Sequence, residues 1–257
     1  MSLPTNLFKK KLVKPITPEF NKEFFIDKLL MERTTPTYDI SKINLTDQNK
    51  IGEGSLGAAV YNFGSNQVVK VLDKLRLQNQ FGSLIELEKM YRIEAKINCL
   101  YYGIGSALFQ KTMDKFYIFM TKAPGIGINK IVCDEKYKVL RPKLLFALRN
   151  GYLASTLVGL HNIGISHGDF KWDNVFYDSI SDNFFPIDFG ASGILSDSKI
   201  KNDFNFLNGI ITSVNSNLNA NIDVNRAMTP VSKNKNKVHY DFNKIQTHQA
   251  NPKLALY

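Results

Sequence analysis

The spacing of hydrophobic residues predicts a strand-rich part of the chain followed by a helix-rich part. Short β-rich runs bounded by turn residues extend from Asn49 to Leu72 and predict a glycine-rich hairpin followed by another strand. Apolar residues at helical spacing from Leu84 to Tyr102 predict an amphipathic helix. The runs SALFQKTM and KFYIFMTK, joined by a short Asp-Lys turn, predict a second hairpin.

The second half of the chain has mainly helical spacing. A broad apolar set between about Lys138 and Asn162 predicts one long helix that is buried on more than one side. VFYD and FFPIDF predict a short hairpin. DFNFLNGIITSVN predicts a core helix with Asn202 or Asp203 as its cap. Together these elements predict an α+β fold.

The two ends of the chain lack this regularity. Residues 1–45 are predicted to form a leader or appendage that is partly disordered and has one short helix, which Thr17 can cap. Residues 218–257 are rich in asparagine and lysine, so we predict a disordered or loosely attached tail. A minimal domain over residues 46–217 is expected between them.

Composition and charge narrow the class of protein. Hydrophobic residues make up 44% of the 257 residues, enough for a sizeable core, and no run approaches the roughly 18 apolar residues of a membrane span. Cys99 and Cys133 are too few for a disulfide framework, so we expect a reducing compartment. The net charge of +10 comes mostly from dispersed lysines, and no nucleic acid partner is expected.

A glycine-rich turn offers the first candidate chemistry. Gly52, Gly54 and Gly57 match G-x-G-x-x-G, a spacing found in two kinds of nucleotide site. In a dinucleotide-binding unit the last glycine opens a helix, whereas here a strand, a turn and another strand follow. A hairpin that folds over phosphates is one interpretation, and a merely flexible β-turn is the other.

A lysine lies within an apolar strand after this turn. Lys70 follows Gly57 by thirteen residues, in VVKVL. Burying a lysine is costly unless an anion and a carboxylate receive it. Glu94 on the next predicted helix is a candidate carboxylate, with Glu86 and Glu88 as alternatives. An exposed lysine on an edge strand is the competing interpretation.

The segment ISHGDFKWDNVFYD is denser in reactive groups than any other part of the chain. Asp169, Lys171 and Asn174 follow D-x-K-x-x-N, and Asp188 opens DFG fourteen residues after Asn174. With the glycine-rich turn and the strand lysine, these parts occur in the order of the protein kinase signature set. The chain therefore resembles the protein kinase superfamily.

This resemblance implies a bilobal, kinase-like fold. A β-rich N-lobe is expected over residues 46–121, and a truncated, mainly helical C-lobe over 124–217. ATP and Mg²⁺ are the implied cofactors, with Mn²⁺ as an alternative metal. A phosphoryl group in transfer carries negative charge on its oxygens, so the site needs cations. By resemblance, Lys70 braced by Glu94 would hold the α- and β-phosphates.

The resemblance also implies roles for the remaining candidates. Asp169 would act as the catalytic base, and Lys171 would neutralise the γ-phosphate. Asn174 and Asp188 would hold the metal, and His167 would support the loop. The other nucleotide-binding candidates form two groups. Those that would cover the phosphates are Gly52, Glu53, Gly54, Ser55 and Gly57. Those that would face the adenine are the gatekeeper Met120, the Thr121 carbonyl and the Ala123 amide.

Two features depart from the usual kinase pattern. Gly168 stands where H-R-D kinases carry the arginine that pairs with a phosphorylated activation loop, so such phosphorylation is expected to be unnecessary. Only 69 residues follow Asp188 and A-P-E is missing, so the activation segment and the late C-lobe helices must be short or absent. Because HGD also occurs in small-molecule phosphotransferases, an aminoglycoside-type or choline-type kinase is an alternative.

The chain also resembles the compact OspG/NleH-type kinases injected by type III secretion systems. This resemblance rests on the truncation and on the segments RIEAKINCLYYG, NVFYD, FFPIDF and the late NDF helix. This likeness covers about Ile51 to Asn217 and favours Glu94 over the other glutamates. It implies a serine/threonine protein kinase that acts as a virulence effector in the host cytosol, with the bacterial cytoplasm as the alternative location. Ubiquitin or a ubiquitin-charged conjugating enzyme is a suggested partner, and a kinase-fold module that sequesters such a partner is the alternative function.

Overall fold

The computed structural model describes residues 38–54, 57–81, 83–103 and 105–231. The helix predicted near Thr17 and most of the predicted tail lie outside these ranges. Within them a β-sheet is followed by a mainly helical part, which confirms the predicted α+β fold. No helix in these ranges is long and apolar enough to cross a membrane.

A five-stranded antiparallel sheet forms the N-lobe. Its strands are β1 (Lys50–Glu53), β2 (Ala59–Asn62), β3 (Gln67–Asp73), β4 (Ala107–Lys111) and β5 (Lys115–Thr121). They lie in the order β1-β2-β3-β5-β4, which confirms both predicted hairpins. Strand β3 is central and apolar on both faces, as expected of a strand covered on both sides. Lys70 lies in its middle, opposite Val60 and Ile118.

Helices α1 (Lys74–Phe81) and α2 (Leu84–Tyr102) cover the inner face of the sheet. Helix α2 has the predicted bounds. Ser83 caps its start by accepting a backbone hydrogen bond, and Gly103, with φ 104°, ends it. The buried residues between helices and sheet are Ala58, Leu72, Leu77, Leu87, Tyr91, Ala95, Ala107, Phe116 and Ile118.

Residues 38–45 cover the outer face of the sheet. The Tyr38 ring stacks on Phe119 with centroids 4.4 Å apart, and its backbone forms two hydrogen bonds with the Gln110 side chain. These residues belong to the stretch predicted as an N-terminal appendage. Their packing places them with the N-lobe.

In the described part of the C-lobe, five α-helices follow the sheet. They are α3 (Ile128–Cys133), α4 (Arg141–Arg149), α5 (Tyr152–Asn162), α6 (Asp197–Leu218) and α7 (Val224–Ala227). The prediction of one helix from Lys138 to Asn162 is wrong, because Gly151 separates α4 from α5. This glycine has φ 68°, and a side chain on it would collide with the Thr229 carbonyl.

Helix α6 begins earlier than predicted. Its first residue is Asp197, and Ser196 caps it by accepting a hydrogen bond from the Lys199 amide. The expected cap, Asn202 or Asp203, lies inside the helix. The first turns of α6 are polar, so apolar spacing alone placed the start too late.

Two small sheets hold the segment with the predicted catalytic residues. One contains β6 (Ile126–Gly127), β8 (Val175–Asp178) and β9 (Asn183–Pro186), and the other pairs β7 (Ile165–Ser166) with β10 (Gly193–Ile194). Residues 167–174 connect β7 to β8, and Asp188 follows β9. The two parts of the site therefore lie at the ends of short paired strands.

Residues 219–231 lie in the stretch predicted as a tail, yet they pack on the C-lobe. Ile222 and Ala227 join its hydrophobic core. The Val231 amide donates a hydrogen bond to Ser155 Oγ at 2.9 Å. The lobe therefore extends to at least residue 231.

Candidate active site

Lys70 is held by two carboxylates from different parts of the chain. Its Nζ lies 2.8 Å from Glu94 Oε1 and 2.8 Å from Asp188 Oδ1. Lys70 is only 7% exposed and Glu94 only 1%. Of the three candidate glutamates, Glu94 is therefore the one beside Lys70, whereas Glu88 forms ion pairs at the surface.

The electrostatics of this cluster keep the lysine charged. Burial would lower the pKa of Lys70, but Glu94 and Asp188 outweigh it and raise that pKa above its ordinary value. Burial would raise the pKa of Asp188, but Lys70 outweighs it and holds that pKa below its ordinary value. At Glu94 burial outweighs Lys70 and raises the pKa of that carboxyl above its ordinary value.

The backbone at Asp188 is strained. Its φ of 60° and ψ of 69° lie in the left-handed region, which residues other than glycine rarely adopt. Such strain costs about 1–3 kcal/mol and is found at functional sites. The next residue, Phe189, is buried in a cluster with Ile97 and Leu160, which fixes the turn.

Asp169, Lys171 and Asn174 interact directly. Asn174 Nδ2 donates to Asp169 Oδ2 at 2.9 Å and to the Asp169 carbonyl at 3.0 Å. Lys171 Nζ lies 2.8 Å from Asp169 Oδ2. The Asp169 side chain is 30% exposed, so its carboxylate is both fixed and accessible. A base that must reach a substrate hydroxyl needs this combination.

The predicted metal ligands are brought close by the backbone. The Ile187 amide donates to the Asn174 carbonyl at 2.8 Å, which places Asn174 next to the residue that precedes Asp188. Carboxylate and amide oxygens suit Mg²⁺, which usually also keeps waters or phosphate oxygens. Within the described ranges, no three His, Cys, Asp or Glu side chains form a metal cage. The Asn174 amide oxygen and the Asp188 carboxylate are donor types that fit Mg²⁺.

His167 links the catalytic segment to the DFG motif. Its Nε2 donates to the Ile187 carbonyl at 3.0 Å, while its Nδ1 accepts from the Asp169 amide at 3.3 Å. Burial lowers the pKa of His167, which favours the neutral ring that this pattern needs. The ring thus has a supporting position between the two parts of the site.

Asp203 lies beneath the catalytic segment and was not among the predicted site residues. Its fully buried carboxylate accepts from the amides of His167 at 2.9 Å and Gly168 at 2.8 Å, and His161 Nε2 lies 2.9 Å away. The sequence contains a signal for this role that the prediction did not use. Asp203 lies on the apolar face of its helix, and an acid in such a position is rarely buried without partners. The apolar residues in helical register with it are Leu207, Ile210 and Val214.

The segment after the DFG motif is short and anchored. Residues 191–196 form the whole connection to α6. Ser192 Oγ donates to the His167 carbonyl at 2.9 Å, and the Leu195 amide donates to the Gly164 carbonyl at 2.8 Å. Strand β10 pairs with β7 in the same region. Hydrogen bonds of the unmodified chain therefore hold this segment against the catalytic loop.

We expect Gly168→Ala to destabilise the protein by about 1–3 kcal/mol in denaturant unfolding. Gly168 has φ 80°, and a Cβ there would collide with the Ala191 carbonyl. Gly164→Ala is the matched control, because Gly164 has the same φ and nothing lies within 4 Å of its Cβ position. Equal losses in the two variants would contradict the close packing at Ala191.

The glycine-rich turn folds back towards Lys70. The Gly54 amide donates to the Ala58 carbonyl at 2.6 Å, and the Gly57 amide donates to the Gly54 carbonyl at 2.9 Å. A Cβ on Gly54 would lie 3.9 Å from Lys70 Cε. The backbone of the turn therefore approaches the lysine closely.

Helix α1 adds a cation at this turn. Gly57 has φ 72°, and the Arg76 guanidinium occupies the space that a side chain on Gly57 would take. Arg76 was not a predicted site residue. Of the other candidates, Gly52 and Glu53 are exposed in β1, and Ser55 lies outside the described residues.

The residues predicted to face adenine lie where β5 leads into the C-lobe. Met120 packs against the inner cluster of the sheet, two residues after Ile118, the partner of Lys70. The Thr121 amide donates to the Ser106 carbonyl at 2.8 Å. Ala123 follows in the connection to β6. These residues therefore lie beside the strand that carries the lysine.

The chain matches one known family. Residues 50–210 match the sequence profile of a family described as Protein kinase OspG, kinase domain. The matched range contains every predicted site residue, from Gly52 to Asp188, and also Asp203. No curated protein matches the chain.

Proposed function

The chain belongs to the OspG kinase-domain family, and from this premise we propose that this protein kinase is Mg-ATP-dependent and specific for serine and threonine. The observation that carries the proposal is the buried Lys70, held at 2.8 Å by both Glu94 and Asp188. Such a lysine offers a fixed positive charge to the phosphates of ATP. Asp169 and Asn174 complete the set of groups that phosphoryl transfer requires.

Each of these residues has a separate task in the proposed reaction. Lys70 binds the phosphates, and Asp169 accepts the proton of the attacking hydroxyl and orients it. Lys171 adds positive charge beside Asp169. Asn174 and Asp188 would hold Mg²⁺, which neutralises charge on the phosphate oxygens when bound.

The preference for a protein hydroxyl rests on Lys171. Protein serine/threonine kinases place a lysine two residues after the catalytic aspartate, and antibiotic kinases usually do not. The contact of Lys171 Nζ with Asp169 Oδ2 at 2.8 Å supports this assignment. A small-molecule phosphotransferase is therefore the weaker hypothesis.

Activity independent of activation-loop phosphorylation is part of the proposal. Residues 191–196 are bound to the catalytic loop by hydrogen bonds of the unmodified chain. Gly168 provides no arginine for a phosphate, and its close packing on Ala191 leaves no room for one. The usual docking platform for peptides is correspondingly short, so substrate recognition needs other surfaces.

By resemblance, we further propose a secreted effector that acts on host proteins in the host cytosol. Compact kinases of this type are delivered by type III secretion. Ubiquitin or a ubiquitin-charged conjugating enzyme is the proposed partner, since a bound partner can compensate for a short activation segment. The complete set of charged groups around Lys70 favours a kinase over a module that only sequesters this partner.

Labelled ATP, Mg²⁺ and a generic protein acceptor test the proposal directly. We expect the wild type to phosphorylate serine or threonine, and Asp188→Ala to reduce incorporation by orders of magnitude because one metal ligand is lost. Adding a ubiquitin-charged conjugating enzyme is expected to raise the rate. Aminoglycosides and choline serve as control acceptors.

Three outcomes would count against parts of this proposal. Equal incorporation by the wild type and Asp188→Ala would contradict the assigned site. Transfer only to the small molecules would favour the alternative phosphotransferase. Binding of the conjugating enzyme without any phosphoryl transfer would favour the sequestering module.

A further inference from the structure

The hydroxyl of Tyr91 is buried without a hydrogen-bond partner among the residues that the structure describes. Tyr91 lies on α2, one turn before Glu94, and is 1% exposed. Buried polar groups are almost always paired, because an unpaired one forfeits its bonds to water. A partner that the folded chain does not supply would explain a hydroxyl at this position.

The surroundings of Tyr91 place it at the phosphate end of the site. Lys70 Nζ lies 6.0 Å from the centroid of its ring. The ring shares a buried cluster with Ala58, which directly follows the glycine-rich turn. The Tyr91 ring therefore lies beside Lys70, the residue assigned to the phosphates.

The chemistry of the neighbours leaves this hydroxyl as a donor in need of an acceptor. Burial raises the pKa of Tyr91 above its ordinary value, so the hydroxyl keeps its proton at neutral pH. Lys70 can only donate. Both oxygens of Glu94 and one of Asp188 accept from Lys70, and none of them accepts from the Tyr91 hydroxyl.

We infer that the Tyr91 hydroxyl donates a hydrogen bond to a phosphate oxygen of the bound nucleotide. This inference rests on the proposed function, since it requires ATP at Lys70. A phosphate oxygen is a charged acceptor, and hydrogen bonds to charged acceptors are stronger than neutral ones. Tyr91 is then a further nucleotide-binding residue, on the helix that also carries Glu94.

Tyr91→Phe tests the inference by calorimetric titration with Mg-ATP. We expect the variant to bind about tenfold more weakly or worse, the loss typical of one hydrogen bond to a charged group. Tyr117→Phe is the matched control, because it removes a hydroxyl from a buried tyrosine on the outer face of the same sheet. The control is expected to bind like the wild type.

Thermal unfolding without nucleotide provides a second readout. Tyr91→Phe should melt at the wild-type temperature or above it, because the lost hydroxyl has no partner in the free protein. A lower melting temperature would overturn the inference, since the hydroxyl would then already be paired. Unchanged Mg-ATP affinity would also overturn it and leave the proposed kinase intact. Failure of the wild type to bind Mg-ATP would overturn both.

Discussion

Asp169→Asn is expected to lower kcat for phosphoryl transfer by about 100-fold to 10,000-fold, the range that a positioned general base contributes. The amide has nearly the shape of the carboxylate but cannot accept the proton of the attacking hydroxyl. Its oxygen can still accept the bond from Asn174 Nδ2, so the loop should keep its conformation. Initial rates with labelled ATP measure the loss.

The affinity for Mg-ATP separates a lost base from a lost binding site. Asp169→Asn should bind Mg-ATP about as well as the wild type, because the proposed phosphate and metal contacts come from Lys70, Asn174 and Asp188. Asp173→Asn is the control in the same loop, because the Asp173 carboxylate accepts a hydrogen bond from Asn129 at 2.6 Å and has no proposed role in the transfer. A similar fall in kcat for both variants would contradict the special role of Asp169.

Local patterns predicted the elements whose ends are set by local groups. Helix α2 has the expected bounds because Ser83 and Gly103 supply its cap and its stop, next to a clear apolar stripe. Both N-lobe hairpins were predictable because turn residues separate short β-rich runs. In these places sequence neighbours determine the structure.

Elements controlled by distant contacts were predicted less well. Gly151 divides a continuous apolar pattern because the chain near Thr229 packs against it. Residues 38–45 look irregular in sequence, yet the Tyr38 ring stacks on Phe119 at the outer face of the sheet. Spacing within a segment contains no information about such partners.

The candidate site also contains both kinds of residue: those that a sequence motif predicts and those that packing brings near them. Motif order pointed to Lys70, Asp169 and Asp188, but the residues around them belong to no short motif. Arg76 lies against Gly57, and Tyr91 lies in the inner cluster near Lys70, because α1 and α2 pack on this face of the sheet. Short spacing rules therefore find the candidate reacting groups better than they find the groups that surround them.

Asp203→Ala is expected to cost about 3–5 kcal/mol of unfolding free energy, the usual effect of breaking a buried, charge-assisted network. The change leaves the buried amides of His167 and Gly168 without their acceptor. Because a domain has only about 5–15 kcal/mol of stability, denaturant unfolding should show a large shift. Asp197→Ala, at the exposed start of the same helix, should change stability by about 1 kcal/mol or less.

The pH dependence of the stability of Asp203→Asn then shows whether the charge of the Asp203 carboxylate or its shape stabilises the protein. Burial would raise the pKa of Asp203, but the hydrogen bonds from His161, Gly168 and His167 outweigh it and hold that pKa below its ordinary value. The stabilisation is therefore complete above the unfolded pKa of about 3.9 and is lost as the pH falls through the folded value. The stability gap between wild type and Asp203→Asn should be constant at neutral pH and shrink below about pH 4. A gap that persists in acid would mean that the carboxylate acts by its shape, because a protonated Asp203 no longer differs from asparagine in charge.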